Sequence, residues 1–131
     1  MKKASKDTDV MLLVTVGLLG WIIPGAGYFL IKEKSRAIVI FVTITLTFGV
    51  GLYMGSIGVI NPVNAMPWYI AQILVSPFVA ILGHISTVEK LLVYGRTNDF
   101  GQIYTGIAGL LNLLSIVTSV YLAHVKATEE N

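Results

Sequence analysis

The sequence predicts an all-α integral membrane protein built from four hydrophobic segments. Three observations carry that prediction. The chain is 55% hydrophobic and only 12% charged, with a mean hydropathy of +0.79, where a soluble domain carries about twice that charge. Its apolar stretches are near the roughly 20 residues that cross a bilayer as helix. Clusters of Pro, Gly or charge stand at the boundaries between them. At 131 residues the chain reads as a single membrane domain, with segments at about 10–31, 37–60, 68–93 and 102–123.

Segment one opens after "SKDTD", where Thr8 or Asp9 can cap a first helical turn. The basic "MKKASK" ahead of it is interrupted by Asp7 and Asp9, so the stretch is read as a retained segment and not as a signal peptide. Pro24, Gly25 and Gly27 then interrupt the apolar run. Pro24 lacks an N–H, and the glycines permit dihedrals that other residues avoid. Helix up to Ile23 is only about 21 Å long at 1.5 Å per residue, short of the roughly 30 Å hydrocarbon layer. The segment is therefore expected to break, and either cross or turn back inside the membrane.

Segment two, "AIVIFVTITLTFGVGLYMGSIGVI", is long enough to span with tilt. Thr43, Thr47, Gly51 and Gly55 recur every four residues, and small residues at that spacing let another helix approach closely. The uncharged link "NPVNAMP" is a turn at a membrane surface, followed by the interfacial pair Trp68 and Tyr69. Segment three, "WYIAQILVSPFVAILG", is short and contains Pro77. It is expected to continue as an amphipathic helix through "HISTVEKLLVY". Segment four follows the polar loop "GRTNDFG" and ends in a solvated tail, "HVKATEEN".

Counting Lys and Arg bears on orientation. If all four segments cross, the two sides hold four and five, which decides nothing. If the broken first segment re-enters, the division becomes eight against one, which the positive-inside rule prefers. In both arrangements the loops at 32–36 and 89–99 share a side, expected to be the cytoplasmic face of a bacterial inner membrane. The side of the N-terminus stays open.

The residues that could carry chemistry are few. All seven carboxylates lie at segment ends or in loops, away from mid-bilayer, where an ionisable group would signal an ion or proton path. There is no Cys, no phosphate-cradling glycine loop with Lys, no HExxH and no serine elbow. No catalytic residue, metal site or cofactor is expected, and the small net charge of +2 gives no reason to expect nucleic acid. His84 is a weak candidate for a single axial ligand. Neither it nor His124 has a second ligand three or four residues away. Gln72 and Asn112 are polar within apolar segments. Around Asn112, the residues Gly106, Gly109, Ser115 and Ser119 drift along one face, which reads as helix packing with an interhelical hydrogen bond.

Two stretches carry a resemblance. "WIIPGAGYFLIKEKSRAIVIF" resembles the PGxGHFYLGR-like opening of an uncharacterised family of small bacterial multi-pass membrane proteins. "GQIYTGIAGLLNLLSIVTS" is similar to the YTxxAGLLNLL-like last segment of the same group. Tyr28 stands where that pattern has His, residues 30–32 depart from its Tyr-Leu-Gly, and Thr118 replaces a usual acidic residue. The resemblance implies Pro24, Gly25 and Gly27 as a helix break and residues 108–114 as a packed segment, and it implies no activity.

The function expected from these features is a non-catalytic accessory or scaffold subunit of a larger membrane complex. Its partners would be lipids and other membrane subunits, in a homo- or hetero-oligomer. The alternatives are a lipid- or small-molecule-handling membrane protein, or a cofactor-binding subunit of an electron-transfer or photosynthetic complex resting on His84.

Overall fold

Six helices make up a computed structural model that describes residues 2–56, 59–60, 62–63, 66–89 and 96–130, the side chains of 2–5 and 96–98 excepted. In chain order they are α1 (Lys2–Ile22), α2 (Ala26–Leu30), α3 (Lys34–Gly55), α4 (Met66–Ile73), α5 (Phe78–Val88) and α6 (Arg96–Glu130). No strand occurs among the described residues. Two helical stretches, Lys34–Gly55 and Asp99–Glu130, are long and apolar enough to cross a membrane. The four expected segments are thus two long helices and two broken ones.

The long helix α6 is the axis against which the rest packs. Gly17 of α1 faces Val120 and Gly20 faces Ile116, so α1 runs antiparallel to α6. The chain then reverses. Gly27 of α2 lies against Val16 and Ser119, and Lys126 Nζ donates to the Ile31 carbonyl at 2.8 Å, back at the end of α6 from which α1 set out. The helix α3 also runs antiparallel to α6, from Ala37 in a cluster with Tyr28 and Ala123 to Gly51 against Thr105 and Gly55 against Gly101. From that far end α4 climbs back, with Trp68 on Gly106 and Ala71 on Gly109. It stops half-way, and α5 turns back so that Gly83 rests on Tyr69 and Ile60. Two hairpins, α1–α2 and α4–α5, therefore enter from opposite ends of the α3–α6 pair. Each has its own apolar cluster: Val16, Tyr28, Ile31, Ala37 and Ala123 for the first, and Ile44, Ile60, Val75, Val79 and Ala108 for the second.

Three expectations need correction. Segment three does not continue through Pro77. The Ser76–Pro77 step ends α4 because Pro supplies no N–H and disfavours helix in the residue before it. Residues 90–93 of its expected extension lie outside the described residues. As a result, Asp99, from the far end of the second of the loops expected at 32–36 and 89–99, does not share an end of the bundle with Glu33; residues 90–95 lie outside the described residues. Glu33 pairs with Lys126 at one end of α6, while Asp99 lies in its first turns at the other. α1 begins well before the expected cap, at Lys2, while the tail expected to be solvated is helix up to Glu130 with His124, Thr128, Glu129 and Glu130 exposed.

The ridge on α3 also divides. Gly51 and Gly55 are buried against α6, whereas Thr43 is exposed and Thr47 half-buried. Steps of four residues drift by about 40° each on a 3.6-residue helix, so the ridge winds about 120° around α3 between Thr43 and Gly55. Both threonine hydroxyls donate back to carbonyls of their own helix, Thr43 to Val39 at 2.7 Å and Thr47 to Thr43 at 2.8 Å.

Candidate functional site

The two hairpin tips meet on Asn112, near the midpoint of α6. The first tip exists because Pro24 and Gly25 stop α1. Gly25 has a φ of 82°, and a Cβ there would come within 2.7 Å of the Ala37 carbonyl, so this turn needs glycine. The second tip is the Ser76–Pro77 step. Breaking a helix leaves its last carbonyls without intrahelical partners, and those freed groups converge. Asn112 Nδ2 lies 3.2 Å from the Gly20 carbonyl, 2.8 Å from Leu74 and 2.9 Å from Val75. Two further bonds tie tip to tip. Trp21 Nε1 donates to the Ile73 carbonyl at 3.0 Å, and Ser76 Oγ donates to the Ile22 carbonyl at 2.8 Å while accepting from Phe78 N at 3.4 Å.

A second polar knot lies further along α6. Gln72 Nε2 donates to the Thr105 hydroxyl at 2.8 Å and to the Val59 carbonyl at 3.3 Å. The Thr105 hydroxyl in turn donates to the carbonyls of Gly101, at 2.8 Å, and Gln102, at 3.1 Å. Gln72, Thr105 and Asn112 are all fully buried. Among the described residues, the buried side-chain oxygens Asn112 Oδ1, Gln72 Oε1 and Ser86 Oγ have no protein partner.

Small residues create the room for these contacts. Gly106, Gly109, Asn112 and Ser115 are buried. A methyl at Gly109 would run into the Ala71 carbonyl, and one at Gly106 would reach the Trp68 ring at 3.0 Å. Close backbone approach at Gly109 sets α4 against α6 and brings the Leu74 and Val75 carbonyls within reach of Asn112.

Residues 15–130 match the family of unknown function DUF6677. The chain belongs to DUF6677. No curated protein and no solved structure matches it. In this DUF6677 chain His84 is exposed on α5 and His124 is exposed on α6. No group of three or more His, Cys, Asp or Glu comes together among the described residues. The polar centre consists of neutral amides, hydroxyls and carbonyls, which bind and orient through hydrogen bonds.

Sequence reasoning picked out Asn112, Gln72, Pro24, Gly25 and Gly27 and did not pick out Trp21, Ser76 or Thr105. A signal was available for Ser76: a residue before proline is pushed out of helix, so a hydroxyl there stands beside freed backbone. For Trp21, an indole N–H within one turn of a proline break is a comparable sign.

Proposed function

We propose that this DUF6677 chain is a non-catalytic accessory or scaffold subunit of a larger complex in a bacterial inner membrane. The observation that carries this reading is the division of polar and apolar surface. The amide nitrogens of buried Asn112 and Gln72 are bonded within the chain, while long apolar faces point outward. Only 17% of the apolar window of α3 is buried, where the core helix of a soluble protein would be mostly covered. Val39, Leu46 and Tyr53 are exposed at 63%, 63% and 91%. Exposed apolar surface of this extent belongs in contact with lipid or with another membrane chain.

The fold and the basic residues together support one orientation. Lys2, Lys3, Lys6, Lys32, Lys34, Arg36 and Lys126 lie towards the end where α1 begins and α6 finishes, and that end is assigned to the cytoplasm. The N-terminus then lies on the cytoplasmic side.

Extraction with mild detergent, native electrophoresis and identification of co-migrating proteins tests the subunit role. A stoichiometric partner is expected, and a chain that migrates alone and monomeric under all mild conditions overturns it. A second reading, handling of a lipid or small apolar molecule, is favoured by a cleft of about 480 Å³ beside the hairpin junction. It is lined by Ile22, Pro24, Phe41, Phe48, Ser76 and Phe78, among others. His84, exposed and in no group of three or more His, Cys, Asp or Glu among the described residues, gives little support to a cofactor-binding role.

A further inference from the structure

We propose that a cleft between α3 and α6 binds the hydroxyl group of a neutral long-chain alcohol. The cleft, about 230 Å³ in volume, is lined by Tyr28 of α2, by Ile40 and Thr43 of α3, and by Leu114, Ser115 and Thr118 of α6, among others. Tyr28 and Ser115 are only 3% and 7% exposed, whereas Thr43, Leu114 and Thr118 are exposed. Two hydroxyls therefore lie inside, and the mouth opens on the outer surface of the bundle.

Ser115 is the residue that asks for a ligand. On α6 the hydroxyls of Thr105, Thr118, Ser119 and Thr128 each donate to a carbonyl of their own helix, as serine and threonine in apolar helices commonly do. Among the described residues Ser115 Oγ makes no hydrogen bond, although its side chain is buried and lines the cleft. A buried hydroxyl left without a partner is costly, and a bound group that pairs with it removes that cost.

Depth and charge narrow the class of that group. Ser115 lies three residues from Asn112 and eleven from Lys126 along α6, about 5 and 16 Å at the helical rise. With the chain in a membrane as proposed above, the cleft is within the hydrocarbon layer. No Asp, Glu, Lys, Arg or His lines it, so a charged group would have no counter-ion there.

Counting protons selects among neutral groups. Thr43 gives its proton to the Val39 carbonyl at 2.7 Å and Thr118 gives its own to Leu114 at 2.8 Å. The Tyr28 hydroxyl pairs with Thr118, and because the Thr118 proton is already used, Tyr28 is the donor. What remains is one proton, on Ser115, beside lone pairs on Tyr28 and Thr43. A carbonyl or ether oxygen uses the proton alone, whereas a hydroxyl accepts from Ser115 and donates to a neighbouring oxygen. A cavity of about 150 Å³ holds a benzene ring, so this cleft takes the hydroxyl with about six carbons. The rest of the chain leaves through the mouth into lipid.

The test is photocrosslinking of the full chain in lipid nanodiscs, using dodecan-1-ol with a diazirine midway along its chain, followed by peptide mapping. Saturable labelling of the α3 and α6 walls is expected. Dodecan-1-ol should displace the probe about fivefold better than its methyl ether, dodecanoic acid or dodecanamide at equal membrane concentration, the scale of one neutral hydrogen bond. Displacement by 1,2-dilauroylglycerol or by 4-dodecylphenol tells a glycerolipid from an aromatic alcohol, each a source of the same hydroxyl chemistry. Ser115→Ala should abolish the preference for the alcohol without lowering the unfolding midpoint, since Ser115 bonds nothing in the chain and Ala suits helix. Tyr28→Phe, which keeps the ring, should reduce the preference, and its midpoint identifies any loss that comes from misfolding. Labelling that does not saturate, equal displacement by alcohol and ether, preference for the acid or amide, or a preference that survives in both variants overturns the assignment. A chain that comes out of membranes in salt or carbonate without detergent overturns the membrane reading itself, before any probe is added.

Discussion

Asn112 brings one amide nitrogen to three backbone carbonyls at a depth where no bulk water replaces it. Asn112→Leu leaves those carbonyls unpaired, and a buried acceptor without a donor costs about 1–3 kcal/mol. Gly109→Leu should be worse, because the obstacle is the Ala71 backbone and backbone cannot rotate aside. Leu111, 37% exposed on another face of α6, should tolerate Phe within about 0.5 kcal/mol. Reversible unfolding in mixed micelles orders the three variants, and a Leu111→Phe cost above that of Gly109→Leu means the wrong face has been assigned. The sequence made the polarity of Asn112 and Gln72 visible. Their acceptors were hidden, since these are backbone carbonyls that exist as free groups only after two helices have been broken elsewhere in the chain.

Glu33 offers a separate handle at the same scale. The hydrogen bond from Lys126, then the charge of Lys126, and more weakly Arg36, hold its carboxyl below the ordinary carboxylate value of 4.5. A carboxylate lowered in the folded state stabilises above its unfolded value, and that contribution is lost as pH falls through the folded one. Acid titration of the unfolding midpoint should therefore show a downward limb below about pH 4.5 that Glu33→Gln flattens. Glu33 and Lys126 are a third or more exposed, so added salt should shrink the limb as well. A limb of unchanged size in Glu33→Gln assigns it to another group.

At the scale of elements, the two broken hairpins differ in how their turns are made. The first depends on a left-handed glycine pressed against α3. Gly25→Ala meets both the strained φ and the Ala37 carbonyl, and should cost about 1–3 kcal/mol in the same unfolding assay. The second depends on a proline and on bonds made by its neighbour. Pro77→Ala should cost less than Gly25→Ala, because Ser76 still holds the Ile22 carbonyl and Asn112 still holds Leu74 and Val75. The first break was legible because Pro and two glycines fall in four residues. The second was not, since a single proline is also compatible with a kinked helix that keeps crossing. Whether the chain returns is decided by what the freed carbonyls meet, here an amide supplied from 37 residues away.

For the whole molecule, α3 and α6 form an antiparallel pair, with one hairpin inserted from each end. The absence of Cys makes the arrangement simple to probe with single introduced cysteines and a membrane-impermeant maleimide. Ser35 and Thr128 should label from the cytoplasmic side, and Val63 and Asp99 from the other. Labelling of Ser35 and Asp99 from one side would restore the arrangement read from the sequence, with segment three crossing. The count of basic residues had no means of detecting the second hairpin, because the link "NPVNAMP" carries no charge to betray its side.

The position of Asn112 along the chain also bears on biosynthesis. Every group it ties, at Gly20, Leu74 and Val75, leaves the ribosome earlier, so on the membrane reading proposed above the nascent chain is inserted with two interrupted helices whose carbonyls have no lasting donor. Until α6 follows, those ends must be sheltered by the insertion machinery or by trapped water. A chain stopped after α5 is thus expected to be cleared by quality-control proteases, and co-expression of α6 as a separate peptide should lengthen its half-life in a pulse-chase. Completion of the last helix is the event that closes the fold, and it does so for both hairpin tips at once.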